Sequence, residues 1–70
     1  MTESLGDVFP REIQRVKELV KVYRDPELKG AGEMAARFME AEIKSSERAW
    51  ADMDTVAMIR LLPILRDNKS

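Results

Sequence analysis

Residues 55–66 read TVAMIRLLPILR, and only Arg60 and Pro63 interrupt the apolar side chains that follow Thr55. Successive helical residues step by about 100°, so Val56, Ala57, Met58, Ile59, Leu61, Leu62, Ile64 and Leu65 surround the axis. A helix that is apolar all round is either enclosed by other elements or sits in a membrane. This one is shorter than the roughly 17–25 residues a bilayer span requires, so enclosure by protein is the reading left. Pro63 cannot donate to the carbonyl of Ile59, which predicts a kink or an interruption near it. Upstream, Asp52 and Asp54 are both suited to accept from the free N–H groups that open this helix.

Working back, residues 31–51 contain no helix breaker after Gly32. Glu33/Arg37 and Glu40/Lys44 are acidic-before-basic pairs four apart, each worth a few tenths of a kcal/mol. The charges Glu33, Arg37, Glu40, Lys44, Glu47 and Arg48 crowd into an arc of about 100°. The other roughly 220° holds Met34, Ala36, Phe38, Met39, Ala41, Ile43, Ser45, Ser46, Ala49 and Trp50, with Glu42 alone in its middle. A surface helix needs an apolar stripe of only about 100°, so this helix is expected to touch more than one neighbour.

The first helix is read from Phe9, Ile13, Val16, Val20 and Tyr23, spaced four, three, four and three. Pro10 suits a first helical position, and Asp25-Pro26 ends the run. Gly30 and Gly32 then mark the next start. The sequence therefore predicts an all-α chain with helices at about 10–24, 31–51 and 55–66. It forms a single domain over 1–70, loose at about 1–6 and 67–70. Leu19 and Val22 turn away from the first helix's stripe.

Composition removes much of the functional menu. There is no Cys and no His, so disulfides, thiolate zinc sites, imidazole ligands and the commonest general base are all excluded. Ser45 and Ser46 lack a base of suitable type, and no set of nucleophile, base and orienting group assembles. Asp52 and Asp54 have no EF-hand spacing, glycine turn or bidentate Glu around them, and capping explains them better. The reading is no enzyme, no cofactor and no metal. Twelve basic against thirteen acidic residues give a net charge of −1, which favours neither nucleic acid nor a membrane. Glu3 stands where a secretion signal would be basic and no apolar core follows, so the chain reads as cytoplasmic.

Three helices this short cannot enclose the third of them, and monomeric proteins rarely expose a large apolar patch. A homodimer is the simplest remedy, since two-fold dimers dominate soluble oligomers. The expected interface is helix 3 with part of helix 2: Val56, Met58, Ile59, Leu61, Leu62, Leu65, Met39, Ile43, Trp50 and Glu42. Glu42 is a buried acid, an ionic contact fixing that interface, or an edge side chain that reaches solvent or an Arg such as Arg60; the last is preferred. Met34, Met39, Met53 and Met58 lie at or near apolar faces, suiting a core or a partner groove. The alternative function is nucleic-acid binding by helix 1, where Arg11, Arg15, Lys17, Lys21 and Arg24 outnumber Glu12 and Glu18. These cations flank the apolar stripe on both sides, which fits a solvated amphipathic face better.

Phe9-Pro10-Arg11-Glu12-Ile13 with Arg15-Val16, Tyr23 at the helix end, Gly30-Ala31-Gly32 and Val56-Ala57-Met58-Ile59-Arg60 together resemble a known group. It comprises small helical proteins of lambdoid and other tailed bacteriophages and prophages, and the resemblance runs from Val8 to Leu65. Two positions depart from it. Met53 stands where relatives more often have Gly before the Asp, and Pro63 falls in a last helix that is usually unbroken. The resemblance implies no activity for individual residues. It implies a small accessory protein working inside an infected or lysogenic bacterium.

Overall fold

The computed structural model describes residues 4–69. It contains α1 (Leu5–Tyr23), a 3-10 turn (Pro26–Leu28), α2 (Glu33–Ala51) and α3 (Thr55–Asp67), with no strand among the described residues. Each helix packs on the other two. Phe9 stacks on Trp50, ring centroids 6.4 Å apart and planes 21° apart, so the start of α1 lies beside the end of α2. Tyr23 lies against Gly32 at the other end, so α1 and α2 are antiparallel. The end of α3 returns to that second end, where the Tyr23 hydroxyl donates to the Lys69 carbonyl at 2.6 Å.

α1 begins five residues before the expected start at Pro10. Leu5 continues the apolar stripe one turn back from Phe9 and packs against the core, which outweighs the proline as punctuation. The Ser4 carbonyl accepts from the N–H groups of Asp7 and Val8 at 3.0 and 2.9 Å. Pro10 forfeits one intrahelical bond, to the carbonyl of Gly6, which is exposed and open to water. α2 starts at Glu33, two residues later than expected, because Gly32 serves as its N-cap. α3 continues through Pro63 to Asp67, and the carbonyl that loses its partner belongs to exposed Ile59.

Parts of the ends expected to be loose lie within the described residues. Leu5 and Gly6 are helical, and residues 67–69 finish α3 and its hydrogen-bonded cap. Met1–Glu3 and Ser70 lie outside the described residues.

The turn between α2 and α3 explains the two aspartates. Asp54 caps α3, its Oδ1 accepting from the Ala57 N–H at 3.1 Å, while Asp52 closes α2. Between them Met53 adopts a left-handed backbone, φ 54°. The Met53 N–H donates to Trp50 and the Asp54 N–H to Ala49, the paired bonds of a helix terminus that favours glycine. A left-handed residue with a Cβ costs about 1–2 kcal/mol, partly offset by glycine's larger unfolded-state entropy. Met53→Gly, whose side chain is exposed, is therefore expected to raise stability by about 0.5–1 kcal/mol in urea unfolding. An unchanged or lowered midpoint would contradict this account of the turn.

The core is built from Phe9, Ile13, Val16 and Val20 of α1, Ala36, Met39, Ile43 and Ala49 of α2, and Met58 and Leu65 of α3. Leu5, Leu19, Tyr23, Ala57, Leu61 and Leu62 close around it. Ser46 lies on the same stripe, fully buried, and its Oγ has no hydrogen-bond partner among the described residues. A buried hydroxyl left unpaired costs about 1–3 kcal/mol. Ser46→Ala removes that group with little change of volume, and a rise of about 1 kcal/mol or more in unfolding free energy is expected. A fall would mean that the hydroxyl is satisfied in solution.

Candidate interaction surface

The enclosure expected for helix 3 does not form within the chain. Only Met58 and Leu65 of α3 are buried, whereas Val56 and Ile59 are 61% and 59% exposed and Ile64 is also open. A three-helix bundle gives each helix two neighbours, so an axis apolar all round keeps one side in solvent. On α2, Met34 and Phe38 are likewise 71% and 65% exposed.

The structure separates the expected interface residues by burial. Met39, Ile43, Met58 and Leu65 belong to the chain's own core, which corrects their assignment to a surface. Their burial follows from register: they occupy the sides of α2 and α3 that meet α1 and each other. Leu61 and Leu62 are partly buried at the core's edge. Val56 and Ile59 remain accessible, and Trp50 is partly so, with one side of its ring on Phe9. Glu42 is half-buried and accepts from the side-chain amide of Asn68. The arginine expected as its alternative partner, Arg60, is exposed.

Met34, Phe38 and Ile64 are also accessible on α2 and α3, as are Val22, Leu28 and Met53 elsewhere, and none of these was among the interface residues expected. The signal was present in α2. Ala36, Met39, Ile43 and Ser46 form one row at helical spacing, while Met34, Phe38, Ala41 and Ser45 form another. One row serves the core and the second stays outside.

The basic residues of α1 are drawn onto the chain itself. Lys17 pairs with Glu47 at 2.9 Å, Lys21 with Glu18 at 3.5 Å, and Arg24 with Glu40 and, at 3.4 Å, Glu33. Arg15 faces Glu12 and donates to the carbonyls of Leu65 and Asn68, both at 2.7 Å. It thus satisfies carbonyls at the C-terminal end of α3, where a cation also suits the helix dipole. Arg11 makes an interaction of its own as well. Exposed pairs contribute little to stability, but they neutralise the surplus that suggested a phosphate-binding face. Lys17 and Arg24 are the two that meet the acidic edge of α2.

Among the described residues no group of three or more acidic side chains could hold a metal ion, and no helix is long and apolar enough to cross a membrane. No protein-family model matches the chain, and neither curated proteins nor solved structures give a significant match.

Proposed function

We propose that this chain is a non-enzymatic helical interaction module that works as a homodimer, using the outer sides of α2 and α3. The observation that carries the reading is the exposure of Met34, Phe38, Val56, Ile59 and Ile64 on a chain of 70 residues. Large apolar side chains left exposed on two adjoining helices suit an interaction site, and a second copy is the commonest occupant. The resemblance to phage-encoded helical proteins supports an accessory role toward host proteins in the bacterial cytoplasm. Nucleic-acid binding through α1 gains no support from cations already facing their own chain's carboxylates and carbonyls.

Light scattering at micromolar concentration tests the dimer. The expected mass is twice the 8.0 kDa of the chain. A mass that stays at one chain across the concentration series would overturn the reading.

A further inference from the structure

α2 carries a row of residues at heptad spacing on the side away from its core stripe. Met34, Phe38, Ala41, Ser45, Arg48 and Asp52 follow at steps of four, three, four, three and four, and all six are exposed. Such a row is how one long helix seats another. Its side chains are graded along the axis: large and apolar first, small in the middle, charged at the end. Beside the charged end an open groove of about 250 Å³ runs between α2 and α3. Ser45, Ala49, Ala57 and Leu61 line it together with the charged side chains of Arg48, Asp52 and Asp54.

A knob and a hole therefore share one face of one chain. Phe38 lies ten residues before Arg48, which is roughly 15 Å along the helix. A two-fold axis makes residue i of one copy meet j of the other, and j meet i, so a knob and a hole on one face can satisfy each other twice. We propose that the second copy docks antiparallel along this row of α2, each Phe38 entering the α2–α3 groove of its partner. The inference rests on the dimeric reading above and adds its register.

With the axis between Ala41 and Ser45, the pairing sets Ala41 opposite the partner's Ser45 and Phe38 opposite the partner's Arg48. The small residues at the crossing let the two backbones approach closely. Arg48 is well exposed and, among the described residues, is held through a 3.9 Å pair with Asp52, so its guanidinium is placed to lie on the incoming ring. A parallel pairing is worse on both counts. It would set Phe38 on Phe38 and leave both grooves unfilled, and it would place Arg48 on Arg48 and Asp52 on Asp52.

Sedimentation equilibrium with circular dichroism, on the wild-type chain and on Phe38→Glu, tests this. Because Phe38 is largely exposed, the variant is expected to keep its helical spectrum while its dimer weakens by at least ~30-fold. A wild-type monomer would overturn this inference and the dimeric reading together. A wild-type dimer that Phe38→Glu leaves intact would overturn this inference alone. The chain has no cysteine of its own, so the register can be read from introduced pairs. Mixing Ala41→Cys with Ser45→Cys chains under oxidising conditions is expected to yield the mixed disulfide in excess of either like pair. An excess of the like pairs, or no difference, would overturn the antiparallel register.

Discussion

Gly32→Ala is expected to lower the unfolding free energy by at least about 2–3 kcal/mol, a large share of the stability of a domain this small. A Cβ built on Gly32 would stand 2.3 Å from the Tyr23 carbonyl oxygen and 3.0 Å from its carbonyl carbon and Cα. All three are backbone atoms, so no side chain can swing aside to relieve the contact. Relief requires the start of α2 to move away from the end of α1, and that movement loosens the core to which Val20, Tyr23 and Ala36 contribute. Gly32 has φ −94°, within reach of any residue, so the demand is for space alone. The control is Gly6→Ala in the first turn of α1, where among the described residues a methyl meets only Ser4 Oγ at 3.8 Å. That change is expected to be neutral or stabilising by about 0.5–1 kcal/mol. Equal effects at the two glycines in thermal melts followed by circular dichroism would contradict the close approach of α1 and α2.

Leu65→Ala is the second large effect, at about 3 kcal/mol within a range of about 2–5. Leu65 is fully buried, and α3 contributes only one other buried side chain, Met58. Losing it leaves a cavity where α3 meets α1, beneath the carbonyl that Arg15 holds at 2.7 Å. The measurement is the urea midpoint of the variant, with the oligomeric mass taken in parallel. A core role predicts a lower midpoint at every protein concentration. Dissociation of the proposed dimer with a loss under about 1 kcal/mol would return Leu65 to an interface between chains.

The residues make clear why some of this was legible in advance and some was not. The row Phe9, Ile13, Val16, Val20 and Tyr23 specified α1 and the side it buries, and the Asp25-Pro26 stop held because proline acts locally. Pro10 misled for the converse reason. As local punctuation it suits a helix start, but burial of Leu5 and Phe9 in the tertiary structure carried the helix past it. Periodicity showed that α2 and α3 have apolar sides to spare without showing which side meets its own chain. Met39, Ile43, Met58 and Leu65 could then be read as an interface, and Phe38 could be passed over. The partners of α1's cations were equally out of reach, because Lys17 and Glu47, or Arg24 and Glu40, are brought together only when the helices pack. Gly32 was legible as a boundary. Its contact with Tyr23 is a property of two helices and appears in neither alone.

The proposed dimer seats a second copy on the exposed apolar surface of α2 and α3. An amide NMR dilution series tests it most directly, residue by residue. Concentration-dependent shifts are expected at Met34, Phe38, Ala41 and Ser45 of α2 and along the open side of α3, with the α1 segment from Lys17 to Lys21 unmoved. Spectra that do not change with concentration, or changes confined to α1, would contradict it.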